Sequence, residues 1–392
     1  MADDHSAITR QAVQELIASE NMPALSIYFP TRRGVAEPEE NSLKLKDALK
    51  DARRELGQSM RTPDVDEFLE PLTSLLDDVR FWRGQAEGLA LFRSKDFFRT
   101  FRLPFPVDAE IAAAEHFHLK PLLPALSTQG YFFILALSQN AVRLMRASRY
   151  GISEVDLDGV EMPKSLAEAL QYDVLERGGL QTHSGGRMGG QNRRQGGQAV
   201  FHGREGSEEH KEQILRFFQG VDHGLHEVLR TSHEPLIVAA VEYLRPLYRQ
   251  ASHYRYILPK GVDGNPDGLR PDELLKRAVP LIEDHYGAAL EEARNRYGDA
   301  QGTGLASDDP EQVVLAAADG RIDSLFTGRQ DTVWGRVDQQ ERKVTLDGGP
   351  GPRRVDLTDL AARETLLNGG HVYVVEREHV PTRSAMAAVF RY

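Results

Sequence analysis

The sequence predicts a mixed α/β fold divided into three domains, the middle one carrying a long exposed glycine-rich loop. Short apolar runs rich in aliphatic and aromatic residues alternate with amphipathic helical stretches, which is the pattern of layered α/β domains. A polar connector bearing glycine, proline and aspartate interrupts the chain near residues 254–270. One stretch, Thr182 to Gly206, has no apolar periodicity at all. The chain has 392 residues with 40% hydrophobic content, enough for two or three domains of ordinary size.

Residues 1–125 are expected to form the first domain. Ser6 to Thr9 opens a helix with Val13, Leu16 and Ile17 on one face. Ala24 to Pro30 reads as a buried strand ended by proline. Asn41 to Leu56 and Val65 to Trp82 are amphipathic helices. Gly88 to Phe92 and Phe97 to Leu103 form a strand pair turning at Ser94-Lys95-Asp96, and Ile111 to Leu119 is a further short strand.

Residues 126–257 are expected to form the second. Tyr131 to Leu137 is a strong strand, Asn140 a turn residue and Ala141 to Ala147 the hairpin partner. After the glycine-rich stretch, Ser207 is read as the N-cap of a helix running to about Leu229, with acids in its first turn. Pro235 to Ala240 is a buried strand and Tyr243 to Ala251 a helix. Residues 258–392 form the third domain. Pro271 to Tyr297 is one long helix, or two broken near Gly287. Asp308-Asp309-Pro310 starts a helix to Ala318. A strand follows through Phe326, then a hairpin over Thr332–Leu346, a helix from Leu357 to Asn368 ended by glycines, and two closing strands.

Composition narrows the function. A net charge of −11 argues against wholesale coating of nucleic acid and DNA binding, so any RNA contact must come from local basic patches. The absence of cysteine excludes disulfides, cysteine nucleophiles and cysteine-ligated metals. The first residues, Met1 to Val13, are polar and lack the apolar core of a signal peptide. No apolar run reaches membrane-spanning length. A cytoplasmic protein with no cofactor and no membrane partner is expected.

Thr182 to Gly206 holds eight glycines, four arginines and a single carboxylate, Glu205. It contains Gly-Gly-Gln twice, at Gly189-Gly190-Gln191 and Gly196-Gly197-Gln198. Glycine lets backbone approach another molecule closely, and arginine suits phosphate oxygens. The same composition also serves as a solvated linker.

The order of elements around this stretch resembles that of the archaeal-eukaryotic class of peptide chain release factors and their Pelota relatives. More closely it resembles their bacterial homologues, the bacterial archaeo-eukaryotic release factors. In that class a β-hairpin precedes an exposed Gly-Gly-Gln loop and a long helix, as Tyr131–Ala147, the Gly189–Gln198 stretch and the helix to Leu229 do here. The third domain of the class is similar to kink-turn-binding ribosomal proteins, and Pro310 to Leu325 resembles that helix–glycine–strand core. Three departures stand out. The codon-reading Asn-Ile-Lys-Ser motif is absent, with Asn41-Ser42-Leu43-Lys44 near its place. Two Gly-Gly-Gln copies stand where the class has one. The helix after the motif is acidic and mixed, with Glu205, Glu208, Glu209 and Glu212 beside Lys211, where the class is basic and arginine-rich.

The resemblance implies a ribosome-associated factor that promotes hydrolysis of peptidyl-tRNA without reading a stop codon, with ribosome and tRNA as partners and a translational GTPase as a further candidate partner. The alternative is a non-catalytic ribosome- or RNA-binding stress factor on the same scaffold. Ester hydrolysis needs a placed water, oxyanion stabilisation and exclusion of bulk solvent. Glutamine has no useful pKa, so its roles are to position water through its amide and to donate its backbone N–H to the oxyanion. Gln198, with Gly196 and Gly197, is closer to the following helix. Gln191, with Gly189 and Gly190, is the alternative. Arg187, Arg193, Arg194 and Arg204 are the candidate phosphate contacts. His223 and His226 lack a third metal ligand. His183, His202 and His210 read as solvated, and Asp77-Asp78 as a helix face. Tyr243, Tyr248, Tyr254 and Tyr256 read as packing residues.

Overall fold

The computed structural model describes residues 8–19, 22–32, 38–171, 205–338, 341–349 and 354–392. Among the described residues the fold is mixed α/β with four sheets. The chain divides into two compact units, one made of Met1–Gly130, Ser148–Tyr150 and Glu283–Tyr392, the other of Tyr131–Ala147 and Gly151–Ile282.

In the first unit, strands β1 (Ala24–Pro30), β2 (Gly88–Ser94), β3 (Phe97–Leu103) and β4 (Glu110–Ala114) form an antiparallel sheet of order β3-β2-β1-β4. Strand side chains alternate between faces, and β1 is buried on both. Leu25, Ile27 and Phe29 pack with Leu45, Leu49 and Leu56 of the Pro38–Leu56 helix and with Phe68 and Leu72 of the Thr62–Thr73 helix. Ala24 and Tyr28 point the other way, into a core that also holds Val13, Leu16, Phe92 and Phe117. The helix expected over Val65–Trp82 is broken: it ends at Thr73, passes through a 3-10 turn and restarts at Val79. Asp78 causes the restart, its Oδ1 accepting the backbone N–H of Arg80 at 2.9 Å and of Phe81 at 3.0 Å. A short acid at that position competes for backbone donors better than it continues a helix.

The C-terminal part of this unit is a second sheet, of β10 (Ala306–Ser307), β11 (Ile322–Gly328), β15 (His371–Val375) and β16 (Met386–Phe390), in the order β10-β16-β11-β15. Strand β11 pairs parallel with β15 and antiparallel with β16. The Pro310–Ala318 helix starts as the sequence implies: Asp309 Oδ1 accepts the Glu311 N–H at 2.9 Å and proline fills the first turn. Val313, Val314, Ala361 and Leu366 from this helix and the Leu357–Leu367 helix join the same core as Tyr28 and Phe92. Between β11 and the Leu357–Leu367 helix runs a small sheet of β12 (Trp334–Asp338), β13 (Lys343–Leu346) and β14 (Val355–Asp356), with β12 central.

In the second unit, β5 (Phe132–Leu137), β6 (Val142–Ser148), β7 (Gly151–Glu154), β8 (Leu236–Ala240) and β9 (Val262–Asp263) make a sheet of order β7-β6-β5-β8-β9. Strand β5 is buried along its whole length, as an unbroken apolar run in mid-sheet should be. The connector at 254–270 therefore contains a strand, β9, that two residues are too few to announce. The helix expected from Pro271 is continuous to Ala300 despite Pro280 and Gly287. Local propensity is a weak prior that tertiary packing overrides. Among the described residues, no helix is long and apolar enough to cross a membrane.

Candidate functional site

The second unit holds the frame of the glycine-rich stretch. The β5–β6 hairpin pairs Phe132 with Ala147 through Leu137 with Val142. Its turn is fixed by Ser138, whose Oγ accepts the N–H of Asn140 at 2.9 Å and of Ala141 at 3.0 Å. Arg146 on β6 meets Glu234 through two bonds, Nη2–Oε1 at 2.6 Å and Nε–Oε2 at 3.3 Å, and lies 3.9 Å from the centre of the Tyr131 ring. Tyr254 donates its hydroxyl to the Glu234 carbonyl at 2.6 Å. Burial, with the nearby Glu234 charge, pushes that hydroxyl's pKa well up, so it stays a donor.

The helix after the stretch runs Glu205–Leu229. Ser207, the expected N-cap, lies inside it: a capping preference does not stop a helix whose next turns are held by packing. Ile214, Phe217, Phe218, Val221, Leu225 and Leu229 recur at helical spacing and are buried. Glu208, Glu209, His210, Lys211 and Glu212 are exposed. Two glycines in this helix have a packing role. A Cβ on Gly224 would stand 2.5 Å from Met162 Cβ and 3.1 Å from the Glu161 carbonyl oxygen; one on Gly220 would stand 3.0 Å from Pro163 Cγ. The segment leading toward the glycine-rich stretch thus lies directly on the helix that follows it. Leu166 N–H donates to the Gln139 carbonyl at 2.8 Å, tying that segment to the hairpin turn. At the helix's far end, buried Asp222 accepts the Ser252 hydroxyl and the His253 N–H (3.0 Å), with His253 Nδ1 at 2.8 Å.

The sequence-derived site residues Gly189, Gly190, Gln191, Gly196, Gly197, Gln198, Arg187, Arg193, Arg194 and Arg204 lie outside the described residues, as do His183 and His202. His223 and His226 are exposed on the helix. Among the described residues no group of three or more histidines and acids could hold a metal. Tyr248 is buried, Tyr243 exposed with its hydroxyl accepting from Gln139 at 3.0 Å.

A cluster of buried charges that sequence reading missed lies in the first unit. Asp359, in the first turn of the Leu357–Leu367 helix, accepts the backbone N–H groups of Leu119 (2.8 Å) and Lys120, and its Oδ1 is 3.4 Å from His118 Nδ1. His118 Nε2 is 3.2 Å from Glu110. Lys120, with its side chain 4% exposed, donates to the Asp331 carbonyl, to Asp356 Oδ2 at 3.2 Å and to Thr358 Oγ1 at 3.0 Å. Burial alone would favour neutral His118, but the charge and hydrogen bond of Asp359, with Glu110 beyond, outweigh it and raise its pKa. Burial alone would raise Asp359, yet the His118 charge and the bonds from His118 and the Lys120 backbone hold it below the usual carboxylate range. Both shifts favour the charged forms of the pair.

Residues 131–321 match the model of bacterial archaeo-eukaryotic release factor family 3. This segment contains the hairpin, both Gly-Gly-Gln copies and the Glu205–Leu229 helix. This part of the chain is therefore release factor-like. No curated protein matches it. Among solved structures it is similar to archaeal Pelota in a model of ribosome-bound archaeal Pelota and ABCE1, at 11% identity and TM-score 0.39 over 99% of this chain and 95% of that one. It is similar to Dom34 of S. cerevisiae at 10% identity and TM-score 0.39, over 78% and 73% of the two chains. It is similar to the archaeal translation termination factor aRF1 at 14% identity and TM-score 0.23, over the full length of both.

Proposed function

We propose that this protein associates with ribosomes and promotes hydrolysis of peptidyl-tRNA through its Gly-Gly-Gln stretch, releasing or rescuing stalled chains without reading a stop codon. The observation that carries this is the family match over residues 131–321, which brackets both Gly-Gly-Gln copies between the hairpin and the long helix. Gln198 or Gln191 would position water by its amide and donate its backbone N–H to the oxyanion. The preceding glycines would keep side chains out of a narrow RNA-lined pocket, and the arginines would hold phosphates. The ribosome would complete the active site and exclude bulk water. Three domains, 1–125, 126–257 and 258–392, a cytoplasmic location and a translational GTPase partner belong to the same proposal.

Peptide release from stalled ribosome complexes tests it, comparing wild type with Gln191→Ala, Gln198→Ala and the double variant. Loss of release in the double variant is expected, with one single variant accounting for most of it. Equal release by all four proteins, or none by wild type, removes the hydrolase reading.

One observation favours a second reading. The exposed face of the Glu205–Leu229 helix nearest the stretch is acidic, with Glu208, Glu209 and Glu212 against Lys211, which weakens tRNA contact at this helix and so counts against catalysis there, leaving RNA contact to the arginines of the stretch. A non-catalytic RNA-binding factor would co-sediment with ribosomes in a salt-dependent way and release nothing. Under this reading, changing Arg193 and Arg194 together to glutamate abolishes co-sedimentation; unchanged sedimentation counts against it.

A further inference from the structure

The first unit contains a cavity of about 620 Å³ that the proposed function does not use. Small-molecule sites fall in the range of about 300–1,000 Å³, mostly apolar with a few convergent polar groups. One part of the lining is apolar: Pro106, Val107, Phe117, Pro124 and Leu360. Trp334 adds a large flat ring, and Arg329, Arg354 and Arg363 add three guanidinium groups.

The placement of these groups follows from the fold. Trp334 stands opposite Asp356 in the β12–β14 pair. Arg354 comes two residues before Asp356, and a diagonal pair of this kind lies about 7–8 Å apart across a sheet. Arg329 Nε lies 3.2 Å from Glu376 and Arg354 Nε 3.3 Å from Asp347, while Arg354 Nη1 donates to the Gly349 carbonyl at 3.0 Å; neither acid lines the cavity. Those contacts orient both forks. A guanidinium has five donors, more than one carboxylate edge occupies. Four acids also line the cavity: Asp356 is bound to Lys120, Asp359 and Glu110 face the two nitrogens of His118, and Asp108 is the fourth.

We propose that this cavity binds a mononucleotide-class ligand, its base against Trp334 and its phosphate on Arg329 and Arg354. A flat ring suits the tryptophan face. Paired, immobilised guanidinium forks suit phosphate oxygens, and being fixed in advance lowers the entropy lost on binding. Nothing in the mechanism proposed for the Gly-Gly-Gln stretch enters this inference.

The chain provides its own probe. Of its two tryptophans, Trp82 is buried outside the lining, with Nε1 donating to the Leu75 carbonyl at 2.7 Å, while Trp334 lines the cavity. The full chain is titrated with AMP and with GMP, following tryptophan fluorescence, with adenosine and inorganic phosphate in separate arms. A saturable change is expected with at least one nucleotide, absent in Trp334→Phe. Arg329→Gln and Arg354→Gln should each weaken binding about tenfold, the effect of about 1.4 kcal/mol. Adenosine and phosphate should each bind at least about tenfold more weakly than the nucleotide. Three results overturn the proposal: no saturable change with either nucleotide up to about 1 mM; binding indifferent to both arginine variants; or adenosine or phosphate binding as tightly as the nucleotide. Thermal unfolding of each variant accompanies the titration. If Arg354→Gln proves unfolded, Arg329→Gln, whose partner Glu376 is exposed, decides the matter.

Discussion

Removing the Lys120 ammonium while keeping the length of its side chain, Lys120→Met, should destabilise the first unit strongly. The side chain is 4% exposed and its partner Asp356 7%. Asp356 also holds the start of the Leu357–Leu367 helix: its Oδ1 accepts the Thr358 N–H at 3.0 Å and the Thr358 hydroxyl at 2.7 Å. Without Lys120 that carboxylate is a buried charge with only neutral donors, a loss of about 3–5 kcal/mol. The Asp331 carbonyl and Thr358 hydroxyl lose a donor as well. Asp356→Asn keeps an N-cap oxygen but removes the charge, and alone it strands the lysine. The double variant Lys120→Met/Asp356→Asn leaves neither charge, so it should recover about 1–3 kcal/mol relative to the sum of the single losses. Urea unfolding followed by tryptophan fluorescence measures this in the right place, because Trp82 and Trp334 both belong to the first unit. Additive losses, or a change below about 1 kcal/mol for Lys120→Met, would refute the argument that this pair is a buried ionic couple.

Three further outcomes are expected. Gly224→Ala should cost about 1–3 kcal/mol because its Cβ meets Met162 Cβ at 2.5 Å, whereas Gly287→Ala, which meets nothing within 4 Å, should gain up to about 1 kcal/mol from helix propensity. Hydrogen exchange in the two helices separates the cases, and equal effects would refute the packing role of Gly224. His118 has its pKa raised in the folded chain, so its contribution to stability is complete below the ordinary imidazole value and is lost as pH rises through the folded value. Urea midpoints of the first unit should therefore fall across that window, and His118→Gln should flatten the slope; a slope unchanged in the variant would assign it elsewhere. Arg146→Lys should cost about 1–2 kcal/mol, since lysine cannot reproduce the two-bond contact with Glu234 or the stacking on Tyr131. Thermal unfolding of the second unit checks it, and no loss would mean the pair is solvent-screened.

The elements that were legible in the sequence are those whose burial is written locally. Tyr131 to Leu137 is apolar at every position and became mid-sheet β5. Asp309-Pro310 carried a cap and a helix start in adjacent residues, and the structure uses both. Long-range chemistry was not legible. The Asp359 carboxylate binds backbone at Leu119, 240 residues away in sequence, and nothing near His118 or Lys120 announces a partner. Their only local signal is a histidine and a lysine in an otherwise apolar run, Phe117 to Leu123, which reads equally well as a surface turn. The break at Asp78 was missed for a related reason: apolar periodicity continued across it, while the capping geometry that ends the helix depends on backbone direction. The Gly-Gly-Gln stretch was found because glycine and glutamine repeated there against a background of ordinary composition.

The close seating of residues 161–163 on Gly220 and Gly224 bears on how this protein tolerates change. Ala169 and Leu170 lie beside Gln213 and Phe217 of the same helix. Residues 161–163 and 169–170 thus run along the helix they precede in sequence, and any side chain added at Gly220 or Gly224 would lift that whole segment off it.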